Sequence, residues 1–290
     1  MSGLSDYSSK AFLNWLAGGA ATPTLPAVYL ALFTAVGVDA GTGFTEVSGG
    51  SYARVQVAGA VTAAGAISTG AATVTMPNVS GYPWVVPGMN VYDATNSKQI
   101  GTVLSWVGTT LTLTGNASNN GSGSTDSLIF SAFSPASGSA PSSNTNGAAI
   151  TFPQATGSWG TAIAFGLYDA SSSGNLLHWD YLGNYSWLPA TVSSASPGIL
   201  TVKGHGYSAA DPIVFSTEFG GTAPSFSQSN FTGVLAVVSP ATDSFSVTNA
   251  STAVNTSSTG SGMVRKILQQ SIPSGITASF AASAFTLTLA

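Results

Sequence analysis

The side chains able to do chemistry are few and scattered. Asp169 and Asp180 flank one hairpin, and two carboxylates at a suitable separation are what cleavage of a glycosidic bond requires. Asp169, however, opens the turn Asp169–Gly174, where an aspartate caps backbone amides, so its presence is explained without catalysis. His178 and His205 are the only histidines and fall in different parts of the chain. His178 reads as a sheet residue and His205, between Gly204 and Gly206, as a turn residue, rather than as metal ligands or acid–base groups. Asp93 and Asn96 share a turn without the Asp-x-Asp-x-Asp-Gly spacing of a calcium loop. Tryptophans 15, 84, 106, 159, 179 and 187 offer stacking platforms for sugars. Trp84 and Trp106 are the candidate glycan contacts, because the small segment that carries them cannot easily hide both. No catalytic residue, cofactor site or metal site is assigned, and the chain is read as a non-enzyme.

The elements that hold these residues are strands. Ala149–Trp179 has the densest strand-and-turn grammar. Thr161–Tyr168 places Ile163, Phe165 and Leu167 on one face and Ala162, Ala164 and Gly166 on the other, as expected when one face packs a core and the other lies close to a neighbour. After the turn, Leu177, Trp179 and Tyr181 alternate with Leu176, His178 and Asp180, which makes a hairpin. Ahead of it, Leu4, Tyr7, Ala11, Trp15 and Leu16 recur at helical spacing behind Ser5/Asp6, predicting a short amphipathic helix ended by Gly18-Gly19. Its apolar stripe either closes one end of a sandwich or docks on a neighbouring subunit. Ala27–Phe33 and Tyr52–Val57 are strands, the first apolar on both faces.

Composition narrows the function. Only 6% of the 290 residues are charged while 44% are hydrophobic, and Gly, Ser, Thr and Ala crowd the chain, a profile of β-rich structural proteins. A formal net charge of −4 with six scattered basic residues lacks the electrostatic footprint of nucleic-acid binding. Zero cysteines exclude a disulfide framework and leave the redox compartment open. The longest apolar run, Leu25–Val38, is shorter than the roughly 18–20 residues that span a bilayer and contains Pro26 and Gly37, so no membrane segment is expected. No basic stretch precedes an apolar one at the N-terminus, so no export signal is read there.

The chain changes character twice. Residues 59–130 form a run of short strands (Thr73–Met76, Met89–Tyr92, Gln99–Leu104 and Thr110–Thr114) with hairpin turns at Asp93–Ser97 and Val107–Thr109. Residues 190–262 form another, with Gly198–Gly204, Pro212–Thr217, Gly233–Ser239 and Asp243–Thr248 as strands and Phe219–Asn230 as a loop. Both read as inserted β modules. Ser131–Gly147 reads as an irregular connector, and Lys266–Ile272 and Ala284–Leu289 as strands that resume the first core. The fold class is therefore all-β: a discontinuous β-sandwich base (1–58, 131–189 and 263–290) with a short N-terminal helix and two small inserts. Each insert should leave and re-enter at nearly one point, Val57 beside Ser131 and Trp187 beside Arg265.

With the inserts set aside, the remaining pieces run SGGSYAR (48–54), AITFPQATGSWGT (149–161), GLYDASSSGNLL (166–177) and SFAASAFTLTL (279–289). In this order they resemble a family of compact bacteriophage proteins usually labelled tail fibre proteins, some of which decorate the head. PGMNVYDATNSKQIGTVLSWVGTTLTLT and the segment around KGHGYSAADPIVF are similar to two small β modules of phage surface proteins. The resemblance implies a virion structural protein, tail fibre or capsid decoration, at the virion surface and assembled in the host cytoplasm. Its partners would be other virion proteins and copies of itself, a trimer being favoured. It supplies no catalytic or ligand residue. The alternative from another class is a module that binds or depolymerises host-surface glycan.

Overall fold

Alternating and β-branched stretches become strands throughout. The computed structural model describes residues 3–19, 27–65, 67, 70–115, 125–138, 142–225 and 233–289. Among these the chain is all-β except for the helix Asp6–Leu16 and a single 3-10 turn at Val79–Gly81. Parts of the Phe219–Asn230 loop (226–230) and of the 131–147 connector (139–141), and residues 25–26 of the apolar run, lie outside the described residues.

The main sheet runs in the order Gly3–Leu4, Leu176–Tyr181, Ala164–Tyr168, Val28–Ala35, Val55–Thr62, Ser127–Ser131, Asn90–Asp93, Lys98–Val107, Thr110–Leu113 and Thr73–Thr75, with Thr45–Glu46 beside Val28–Ala35. Three two-stranded ribbons accompany it: Ser142–Thr145 with Thr286–Leu289, Ile150–Gln154 with Thr277–Phe280, and Gly160–Ala162 with Gln270–Ile272. Ile150, Phe152, Trp159 and Phe285 from this second layer share a core with Leu30, Leu32, Val57 and Phe165 of the sheet. The same core continues without a break to Val91, Leu111 and Phe130. Burying each such side chain contributes about 1.5–3 kcal/mol, which is how a chain without disulfides holds its layers together.

The strand predicted at Tyr52–Val57 starts at Val55 and runs on to Thr62, across the expected start of the first insert. Ala58 lies opposite Ser131, and the Ala132 N–H donates to Val57 O at 2.8 Å, so the two ends of residues 59–130 are ladder neighbours. The irregular connector gains a strand at Ser142–Thr145 because the strand Thr286–Leu289 pairs with it, a partner 141–147 positions away that local propensity cannot announce.

The second insert closes on itself. Ile199–Thr201 pairs with both Leu188–Val192 and Ser244–Asn249, and Gly260–Lys266, Pro212–Ser216 and Leu235–Val238 complete a six-stranded antiparallel barrel. Closure removes open edges, and Leu200, Ile213, Leu235, Phe245, Val247 and Val264 fill the interior. The segment read as one strand at Lys266–Ile272 is divided: residues up to Lys266 belong to the barrel and Gln270–Ile272 to a ribbon. Leu188 lies opposite Val264, and the Leu268 N–H donates to Leu182 O at 2.8 Å, which makes a narrow neck.

A third cluster seats the barrel on the back of the sheet, joining Ala31, Phe33, Ile163 and Trp179 to Val214 and Ile267. Ile163 packs here with Ala164, not with Phe165 and Leu167, because the strand is broken at 163, where the chain changes partner from Gln270–Ile272 to Val28–Ala35. The small face is there to admit Phe33: a Cβ on Gly166 would stand 2.5 Å from its ring.

Candidate functional site

The motifs that carry the family resemblance converge on one network. Glu46 sits beside the Val28–Ala35 strand and takes a hydrogen bond from Tyr52 Oη at 2.6 Å and an ion pair from Arg54 Nη2 at 2.9 Å. Arg54 Nη1 then donates to Ala170 O and Ser173 O, and its guanidinium lies 3.6 Å from the centre of the Tyr168 ring. Arg54 thus ties SGGSYAR to the GLYDASSSGNLL turn. Gly49-Gly50 give the third motif access: Trp159 Nε1 donates to Gly50 O at 2.9 Å, and a Cβ on Gly50 would run into Thr156. Burial and the bond to Glu46 raise the Tyr52 phenol far above its ordinary range, so it stays a neutral donor. These residues are structural clamps.

The second cluster lies at the neck. Arg265, only 4% exposed, donates from Nη1 to Asp180 Oδ1 at 2.5 Å and from Nη2 to Gly183 O at 2.7 Å. Burial pushes the neighbouring Tyr181 phenol up to about 12, with Arg265 opposing. Beside this pair opens a cavity of about 610 Å³ walled by Phe165, Phe280, Phe285, Leu268 and Ile276, with Asp180 and Arg265 at its polar side. Its size is that of small-ligand pockets, and its lining suits binding.

The singled-out residues are placed as follows. Asp169 Oδ1 and Oδ2 accept from Asn175 N at 2.6 Å and Asn175 Nδ2 at 2.7 Å, closing the predicted turn. Asp180 lies opposite Phe165, whereas Asp169 follows Tyr168 at the far end of the ladder, about 13 Å away at strand rise. The two carboxylates are not brought together. His178 is buried against Phe165, and burial pushes its pKa down. His205 accepts from Tyr207 N at Nδ1 and bonds Ala241 O through Nε2 at 2.9 Å, so both ring nitrogens are used. Asp93 accepts from Asn96 N and Nδ2, as a turn residue should. Trp106 is 9% exposed and parallel to the rings of Tyr82 and Phe130, while Trp84 is half-buried and edge-on to Phe130. Among the described residues, no group of three or more His, Cys, Asp or Glu is placed to hold a metal ion. Among the described residues no helix is long and apolar enough to cross a membrane.

One feature was not singled out in the sequence. Asn146, fully buried, donates from Nδ2 to Ala148 O and Ala281 O and accepts from Phe285 N, pinning the C-terminal strand. Nothing local marks it among the other Asn residues of a Ser/Asn-rich stretch. The helix, by contrast, lies where its spacing and the Ser5/Asp6 cap put it. Ser5 caps it, its hydroxyl accepting from Ser8 N and donating to Leu176 O, but no helical residue is buried. Leu13 is 60% and Leu16 65% exposed, with Tyr7, Phe12 and Trp15 also open. An isolated helix of eleven residues is marginal in water, and among the described residues nothing buries this stripe.

Comparison with known proteins adds the family. No curated protein matches the chain. The profile of the family described as podophage GP4 fiber I protein gp80 matches residues 3–131 and 108–190, the span that holds the helix, the main sheet and all of the Glu46–Arg54 network. That is well over half of the sequence, and the chain belongs to this podophage fibre protein family.

Proposed function

We propose that this virion structural protein stands at the particle surface, as a tail fibre or capsid decoration, and acts by protein–protein packing without catalysis. The base (1–58, 131–189 and 263–290) attaches to the virion and to other copies, a trimer being favoured. Residues 59–130 and 190–262 project as β modules. The observation that carries this reading is the helix Asp6–Leu16, whose apolar side chains are presented outward on a surface almost without charge, so that self-packing meets little like-charge repulsion. Among the described residues nothing buries the helix, which favours docking on a neighbouring copy over closing one end of the sandwich. Light scattering tests this: the wild-type chain is a trimer at micromolar concentration, and Leu13→Asp with Leu16→Asp gives a folded monomer. A wild-type monomer, or a trimer that survives both substitutions, contradicts it.

A second reading, binding or cleavage of host-surface glycan, is favoured by the neck cavity, which combines aromatic walls with the polar side chains of Asp180, Asn184 and Gln270. Trp106, enclosed in a ring stack, suits it less than the half-buried Trp84. Incubation with host polysaccharide separates the readings: retention or shortened chains support the second, and neither leaves the first standing.

A further inference from the structure

A ring of three copies is closed by heterologous contacts, in which one patch meets a different patch on the next copy. The helix Asp6–Leu16 is one such patch. Its eleven residues fall short of the three to four heptads over which helices sustain a coiled coil with one another, so packing helix on helix offers it little. The stretch Ala11–Leu16 carries no charge, and no basic residue in the last turn offsets the negative end of the helix dipole. The complement it needs is concave, apolar and uncharged, with a hydrogen-bond donor to spare.

The neck cavity has these properties. Phe165 and Phe280 line it and both pack on Phe285, with ring centroids 4.4 Å and 4.9 Å away. Leu268 and Ile276 line it too, yet each is about half exposed, so they mark its mouth. Residues 267–290 contain no charged side chain, and the two charges on the cavity wall, Arg265 and Asp180, neutralise each other. The Arg265 side chain is only 5% exposed and its Nε has no hydrogen-bond partner, which leaves a buried donor open. A volume of about 610 Å³ is that of a small-ligand pocket and admits two leucine side chains. The helix does not enter the cavity of its own chain. The Ser5 N–H donates to Leu177 O at 3.0 Å and the Ser5 hydroxyl to Leu176 O, so the helix starts at the end of the strand Leu176–Tyr181 remote from the cavity, which borders Asp180 and Tyr181. Leu13 and Leu16 stay exposed.

Resting on the trimer reading, we propose that the neck cavity receives the helix of the neighbouring copy, with Leu13 and Leu16 entering between Leu268 and Ile276. Each copy then gives one helix and takes another, the head-to-tail contact that closes a ring. The uncharged half of the helix meets an uncharged mouth, and its carbonyl end comes to the cavity whose wall holds the open Arg265 donor.

The test uses the full chain, which has no cysteine of its own, so an introduced pair reports without background. Leu16→Cys together with Ile276→Cys, treated with a short bis-maleimide, should give covalent trimers on a denaturing gel, and either substitution alone should give none. Ile276→Asp with Leu268→Asp, both at exposed positions, should turn the trimer into a folded monomer by light scattering and circular dichroism. Val107→Asp, at an exposed site on the inserted module, should leave the trimer intact. A trimer that survives the two aspartates, stays unlinked in the double cysteine variant or links through one cysteine alone overturns the cavity as receptor, while the trimer reading stands. A wild-type monomer removes both. Should the aspartate variant not fold, the cysteine bridging decides.

Discussion

Arg265 and Asp180 join the barrel to the sheet: one lies on the strand Gly260–Lys266, the other on Leu176–Tyr181, and Nη1 meets Oδ1 at 2.5 Å. The Arg265 side chain is almost wholly buried, whereas 29% of the Asp180 side chain remains open to water. Removing the acid thus strands a buried guanidinium, while removing the base leaves a carboxylate that water can reach. Asp180→Ala should cost about 2–4 kcal/mol by urea denaturation. A loss below 0.5 kcal/mol, on the order of an exposed pair, would show that the pair does not hold the neck.

Gly166 is fixed by space. A Cβ there would lie 2.5 Å and 2.7 Å from Phe33 ring atoms and 2.9 Å from Leu176 Cδ1, all in the buried cluster under the barrel. Gly166→Ala should cost about 1–3 kcal/mol by overpacking, despite the better strand propensity of alanine. An unchanged denaturation midpoint would contradict the close approach.

His178 makes stability depend on pH. Burial holds its folded-state pKa below the ordinary 6.5, against the opposing pull of Asp180. Above 6.5 both states are neutral and nothing is lost. Below it the unfolded chain takes up a proton that the folded chain resists, so stability falls by at most about 1.4 kcal/mol per pH unit until the folded pKa is reached. Asp211 acts in another window: although burial raises its pKa, the Lys266 ammonium and the Ser208 N–H outweigh that and hold it below its ordinary 3.8. Its contribution is lost only as pH falls below that value. His178→Phe, which keeps a ring against Phe165, should flatten the denaturation midpoint between pH 6.5 and 5. A wild-type midpoint that does not fall over this range would count against the assignment.

The barrel should be separable. Replacing residues 184–267 with a short Gly/Ser bridge joins Gly183 to Leu268, next to the Leu182–Leu268 hydrogen bond that already brings the chain together. The truncated protein should fold cooperatively but less stably, because Ile163 and Trp179 lose Val214 and Ile267. Circular dichroism and a single urea transition would show it, and a chain without a transition would refute the division at the neck. Residues 59–130 offer no such clean cut, since Val57 and Phe130 share one core.

Local grammar made much of this architecture readable. The Asp169–Gly174 turn, the hairpin it closes, the helix cap at Ser5 and the short strands of both inserts follow from turn chemistry and alternation. The failures share a cause, namely that the partner lies far away in sequence. The strand Ser142–Thr145 exists through residues 286–289, barrel closure depends on Ile199 meeting Ser246, and Ile163 turns because its neighbours change. For the site residues, Asp169 and His205 were readable as turn residues, because their partners lie within the turn or its neighbouring loop. Arg265 was not, since nothing in sequence distinguishes a buried charge from an exposed one.

The central claim, a virion structural protein at the particle surface, is tested most directly by cryo-electron microscopy of purified particles with mass spectrometry of their composition. The account predicts density for this chain on the outside of the mature virion, at a few to some tens of copies if it is a fibre and hundreds if it decorates the head. Absence of the chain from mature virions would contradict it.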